Sequence, residues 1–121
     1  QNSANSIQYL TTSDLRLKKN IRESKYGLLS VLQMQVKDYN YIDDADNNNV
    51  QTGFIAQELY KIYPNAVQSG GEDVKTKPWM IDYSKLAPVL VKAIQEQQSQ
   101  IEDLKKMNEI LMRRLEALEK K

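Results

Sequence analysis

Any chemistry in this chain must use Ser, Thr, Lys, Tyr or carboxylate side chains, because its 121 residues include neither Cys nor His. That composition removes thiolate chemistry, disulfides, the usual zinc ligands and the commonest general base. We therefore expect no metal and no cofactor. A lysine amine would have to serve as the base, which requires burial or neighbouring cations to lower its pKa towards neutrality. Ser13 is followed five residues later by Lys18, but this spacing alone indicates only a turn serine and a solvated lysine.

The elements that would position such residues form a small α+β head. Residues 1–12 are polar and are expected to be a linker or the end of a preceding domain, and residues 15–21 predict a short strand or turn. Residues 25–35 predict an amphipathic helix that packs on the following strand. Its apolar side carries Leu28, Leu29 and Leu32 and, less neatly, Val31 and Met34.

A hairpin is predicted next, with strands at 36–41 and 50–55 around an acidic, Asn-rich turn at 43–49. Residues 56–62 predict a short helix that Pro64 stops. Residues 65–77 are expected to be loop, and residues 79–83 a third strand. Ser84 then caps a helix with Pro88 in its first turn.

This last helix carries a heptad repeat. Its seam comprises Ala87, Leu90, Ile94, Gln97, Ile101, Leu104, Asn108, Leu111, Leu115 and Leu118. So narrow and regular a seam favours a coiled-coil oligomer over a helix lying on its own domain. The polar positions Gln97 and Asn108 are typical of residues that fix register. The spacing leaves dimer and trimer open.

The bulk composition excludes several partners. With 17 basic and 16 acidic residues, the net charge is +1, so nucleic acid and membrane are not expected as partners. No basic block precedes the heptads, which argues against a bZIP-like helix. The chain starts on a polar Gln, Asn and Ser stretch without Met or a signal-peptide pattern, from which we expect a piece of a longer protein.

Three segments carry a similarity to one family: residues 13–21, residues 53–59 with Pro64, and residues 82–86 running into 93–96. Together they resemble the intramolecular chaperone domain of phage endosialidases and tail spikes, peptidase family S74. The resemblance implies a homotrimer that sits at the C-terminus, aligns three chains, assists folding of an upstream fibre domain and is then cut off. The host location follows the parent protein: phage assembly in the host cytoplasm, or a bacterial cell surface.

The resemblance also implies the site. Ser13 would be the nucleophile, Lys18 the base, and Thr12-Ser13 the scissile bond. Two roles are open for Arg16. One is to lower the pKa of Lys18, together with Lys19. The other, which is favoured, is a surface ion pair with Asp14 or Asp82. Gln57 and Glu58 lie in the second motif and receive no role.

We thus expect a head at residues 13–83 and a parallel trimeric coiled coil at residues 84–121, with possible single-turnover self-cleavage. One alternative is a permanently attached trimerisation tip that is never cut. Another is a binding surface formed by Tyr39, Tyr41 and Trp79.

Overall fold

The computed structural model describes residues 9–121. Residues 1–8, and with them most of the linker predicted for residues 1–12, lie outside this description. The described chain is a mixture of short strands and helices that ends in one long helix. In order, a 3-10 turn Leu15–Leu17 precedes α1 (Leu28–Gln33), β1 (Lys37–Tyr39), β2 (Gln51–Gly53), α2 (Ala56–Ile62), a 3-10 turn Pro64–Ala66, β3 (Val67–Gln68), β4 (Met80–Ile81), a 3-10 turn Tyr83–Leu86 and α3 (Ala87–Glu119).

The predicted hairpin is confirmed. Strands β1 and β2 pair antiparallel, with Lys37 opposite Gly53 and Tyr39 opposite Gln51. Asp44 organises the loop between them, since its carboxylate accepts the Asn49 backbone N–H at 2.9 Å. This contact explains why Asn and Asp are frequent in the turn, because their side chains can accept hydrogen bonds from backbone N–H groups that have no backbone acceptor there.

The core of the head forms around α2, whose predicted bounds and stop at Pro64 are also confirmed. Leu59 is only 2% exposed and packs with buried residues from the segment just after α2, from the turn Tyr83–Leu86 and from the first turn of α3. These other residues are Tyr63, Ala66, Leu86 and Val89. The base of α3 is therefore part of the head's core.

The segment predicted as loop at 65–77 contains an unexpected strand. Its residues Val67–Gln68 (β3) pair antiparallel with β4, which is shorter than the third strand predicted at 79–83. The Asp82 N–H also donates to Ala66 O at 2.8 Å, which extends this contact. A strand of two residues leaves no periodic signal in a sequence.

Helix α1 differs from its prediction in length, face and partner. It packs on α3, not on the following strand, and Gly27 at its N-terminus lies close against the Lys92 and Glu96 side chains of α3. Leu28 is buried, whereas Leu29 and Leu32 are 76% and 66% exposed. Val31 and Met34, the less regular positions, are the ones that pack against the core.

The long helix also begins differently. Ser84 does not cap it. Asp82 caps the preceding 3-10 turn Tyr83–Leu86, where its carboxylate accepts the Ser84 N–H. Helix α3 continues from Leu86, which makes no side-chain capping bond. Pro88 lies in the first turn of α3, where its missing N–H costs nothing. The helix then runs for 33 residues without a break.

Candidate functional site

The structure brings Ser13 and Lys18 together. Lys18 Nζ donates a hydrogen bond to Ser13 Oγ over 2.6 Å. The contact forms because residues 15–17 make a 3-10 turn, in which Leu17 N–H bonds Asp14 O at 3.0 Å and Lys18 N–H bonds Leu15 O at 3.1 Å. A nucleophile and an amine in direct contact are what a Ser/Lys acyl-transfer site needs.

Asp14 and Arg16 hold this turn from outside. Asp14 is the N-cap of the turn, accepting the Arg16 N–H at 2.9 Å, and the same carboxylate binds the Arg16 guanidinium at 2.8 Å. These hydrogen bonds from the Arg16 side chain and backbone lower the pKa of Asp14 below its ordinary value, and the pair raises the pKa of Arg16. The geometry therefore agrees with the surface ion pair predicted for Arg16, and Asp14 is its partner.

Sequence reasoning missed the capping role of Asp14. The signal was available, because an Asp directly before a short helical turn is a typical N-cap.

The segment that carries the pair is an exposed arm, residues 9–25. Leu15, Leu17 and Ile21 are 71%, 75% and 66% exposed in the single chain. A salt bridge of 2.9 Å joins Glu23 of the arm to Lys92 of α3. The arm bends at Asn20, whose φ of 54° lies in the left-handed region that Asn tolerates better than most residues.

The two polar residues of the second motif lie elsewhere. Glu58 Oε1 forms a salt bridge with Lys37 Nζ at 2.6 Å, linking α2 to β1. Its other oxygen, Oε2, is buried without a hydrogen-bond partner among the described residues. Gln57 lines an aromatic cleft. Within residues 9–121, neither side chain hydrogen-bonds to Ser13 or Lys18.

The aromatic cleft gathers the residues of the binding-surface alternative. Tyr39, Tyr41 and Trp79 line one open cavity of about 480 Å³, together with Phe54 and Tyr83. Tyr39 and Tyr41 meet edge to face at 5.4 Å, and Phe54 stacks on Tyr83 at 5.8 Å. The strands predicted as a tyrosine-rich hairpin therefore present their rings on one side.

The second and third motifs meet in the core. Tyr63 Oη donates to Lys85 O at 3.1 Å, tying the end of α2 to the turn that starts the long helix. Burial raises the pKa of Tyr63, and the charge interaction with the neighbouring Tyr26 hydroxyl raises it further. Leu59 of the second motif and Leu86 of the third also lie in the same buried cluster, so the two motifs contact each other where α3 leaves the head.

Beyond the head, α3 exposes the predicted seam. Leu90, Ile94, Ile101, Leu104, Leu111, Leu115 and Leu118 are all exposed in the single chain. A shallow groove of about 410 Å³ lies along part of the seam and is lined by Ile101, Leu104, Lys105, Met107, Asn108 and Leu111. Such a row of unpartnered large apolar side chains is typical of a surface that another helix covers.

Other kinds of site are not found in the described residues. Residues 9–121 hold no cluster of three or more Asp, Glu, His or Cys side chains that could bind a metal ion. None of the helices in this part of the chain combines the length and apolar composition that a membrane crossing requires.

Comparison with known proteins gives one consistent result. The model of a family described as "Chaperone of endosialidase" (Peptidase_S74) matches residues 13–68, which include the first two motifs. The "Long tail fiber protein Gp37" of Enterobacteria phage M1 is 37% identical over 100 residues, covering 77% of this chain. The protein of the same name from Enterobacteria phage Ox2 matches equally well. The chain spans only 38% of the length of either relative.

Proposed function

We propose that this chain, whose residues 13–68 match the model of the chaperone-of-endosialidase family, is an assembly module for a tail-fibre-like protein. Three copies of α3 pair in parallel through the seam and hold three upstream chains in register. The observation that carries this proposal is the exposed heptad seam, which extends from the head core to the end of α3.

The physical benefit to a fibre is kinetic. Interwound fibres depend on contacts between distant or separate chain segments, and such contacts form slowly and expose aggregation-prone edges. A coiled coil folds from local contacts and raises the effective concentration of the three upstream chains. The trimer would therefore form first, and fibre folding would follow from it.

Two neighbouring residues provide a matched test of the seam. Leu111 lies on the seam and Ile110 lies off it, yet they are 48% and 43% exposed in the single chain. Leu111→Asp should convert the trimer to monomer in light scattering, because a charge in the seam has no partner. Ile110→Asp introduces the same charge and should remain trimeric. If both variants had the same oligomeric state, the proposal that α3 associates through this seam would be wrong.

We further propose that the module cuts itself at Thr12-Ser13. Lys18 Nζ, once unprotonated, takes the proton from Ser13 Oγ, and the oxygen attacks the Thr12 carbonyl carbon. The bond between Thr12 and the Ser13 nitrogen breaks, the nitrogen gains the proton, and an ester joins Thr12 to Ser13 Oγ. Water then attacks the ester, which leaves a Thr12 carboxylate and a Ser13 with a free amine and hydroxyl.

Support for this step comes from the 2.6 Å contact of Ser13 Oγ and Lys18 Nζ. In one chain both residues are exposed, and a lysine base requires water to be excluded. In a trimer, neighbouring copies would cover the exposed Leu15 and Leu17 and so exclude water from Ser13 and Lys18. Self-cleavage should accordingly depend on trimer formation and fail in Leu111→Asp.

Intact-mass measurement over time tests cleavage directly. The wild type should lose residues 1–12, whereas Ser13→Ala and Lys18→Ala should keep them. Lys25→Ala is the matched control, since it removes another exposed lysine of the same arm to which no role in the pair is assigned, and it should still be cut. A trimer that stays uncut in every variant would favour the permanently attached tip instead.

A further inference from the structure

The loop that joins Ser13 to Lys18 is held by local bonds. Asp14 has an extended backbone, with φ −75° and ψ 129°, and Lys18 at the other end of the turn is again extended, with φ −110° and ψ 146°. The three residues between them form the 3-10 turn Leu15–Leu17. A turn this short has weak hydrogen-bond geometry and little stability of its own.

Packing does not hold the turn in the single chain, because Leu15 and Leu17 are both more than 70% exposed. Two backbone hydrogen bonds and the side chain of Asp14 do so instead. Asp14 Oδ1 accepts the Arg16 N–H at 2.9 Å and the Arg16 Nε–H at 3.1 Å. Asp14 Oδ2 accepts the Arg16 Nη2–H at 2.8 Å.

We propose that Asp14 is a positioning residue for the Ser13 and Lys18 pair. Its carboxylate caps the 3-10 turn, and the capped turn brings Lys18 Nζ to Ser13 Oγ. This inference rests on the proposed self-cleavage, and it assigns Asp14 no contact with the reacting carbonyl. The essential bond is the one from Arg16 N–H to Asp14 Oδ1, and the guanidinium pair is secondary because it is solvent-exposed.

Three substitutions separate the cap from the charge. Asp14→Ala removes both, so the turn should open more often and the first-order cleavage rate should fall roughly ten-fold, the size of effect that loss of a cap produces. Asp14→Asn keeps an oxygen that can accept the Arg16 N–H and should restore most of the rate. Arg16→Ala keeps that backbone N–H and should cut within roughly three-fold of the wild-type rate.

The experiment measures loss of residues 1–12 by intact mass for all four proteins. Light scattering and thermal unfolding of the Ser13→Ala background, with and without Asp14→Ala, check that the trimer and its stability are unchanged. Rescue by Asn with an unchanged trimer supports the positioning role. A wild-type rate in Asp14→Ala, an equal loss in Asp14→Asn and Asp14→Ala, or a dissociated trimer overturns it while leaving self-cleavage standing. A wild type that never cuts overturns both proposals.

Discussion

The hydroxyl of Tyr83 lies directly against the backbone of Gly53. The Phe54 N–H donates to Tyr83 Oη at 3.1 Å, and a Cβ on Gly53 would lie 2.5 Å from the same oxygen. The second motif therefore needs a glycine at position 53 for the third motif to dock, and Tyr83 fixes the end of β2 to the turn that starts α3.

Gly53→Ala should destabilise the head by about 1–3 kcal/mol, because the new methyl group displaces the Tyr83 hydroxyl and breaks its bond to Phe54 N–H. Chemical denaturation at one fixed protein concentration would measure this, since the stability of an oligomer depends on concentration. Gly71→Ala is the control. Its Cβ would come no closer than 3.3 Å to the Lys77 side chain, at Cδ, and the change should affect stability little.

A double-mutant cycle tests the contact itself. Tyr83→Phe alone should cost about 1 kcal/mol through the lost hydrogen bond. Combined with Gly53→Ala, it should cost less than the sum of the two single changes, because the clashing oxygen is gone. Strict additivity would mean that Gly53 is required for another reason.

Leu59→Ala should lower the free energy of unfolding by about 2–5 kcal/mol, because it leaves a cavity at the most buried large side chain of the head. Val74→Ala is a suitable comparison, since Val74 is 71% exposed in the loop between β3 and β4. It should change stability by less than about 0.5 kcal/mol. Similar losses in both variants would place the core elsewhere.

Stability should depend on the ionisation of Asp82. The Ser84 hydroxyl donates to Asp82 Oδ1 at 2.6 Å, and this bond holds the pKa of Asp82 below its ordinary value of 3.8. Because the folded pKa is the lower one, the stabilisation is present above pH 3.8 and is lost as pH falls through the folded pKa.

Thermal unfolding of wild type and Asp82→Asn between about pH 6 and pH 2.5 would measure that contribution. The wild type should unfold at higher temperature near neutral pH, and the gap should close at the acidic end. The other acidic residues titrate in both proteins and largely cancel in the difference. A gap that is the same at every pH would mean that charge on Asp82 is unimportant.

Local sequence patterns predicted much of the fold. Helix α2 has a breaker at Pro64, and the hairpin has a turn rich in Asn and Asp, so the helix was predicted with its bounds and the hairpin with its two paired strands. The mixed α and β class and the long final helix follow from the same local patterns. The seam positions on α3 are exposed as the heptads require, although their pairing stays a prediction.

What the sequence did not predict has two physical causes, which are contacts between distant residues and short 3-10 turns. The face of α1 was misassigned because a helix of six residues has too few turns for a clear stripe, and its actual partner, α3, lies far along the chain. The cap of the long helix was placed on Ser84 because a preceding 3-10 turn cannot be distinguished from helix by pattern. The contact of Ser13 with Lys18 likewise depends on a 3-10 turn that spacing alone does not reveal.

The measurement that tests the central claim most directly is sedimentation equilibrium of the wild-type chain and Leu111→Asp across a range of concentrations. The account predicts a wild-type mass three times that of one chain and a variant mass of one chain. A wild type that remains a monomer at all concentrations would contradict it, because the exposed seam of α3 would then serve no assembly.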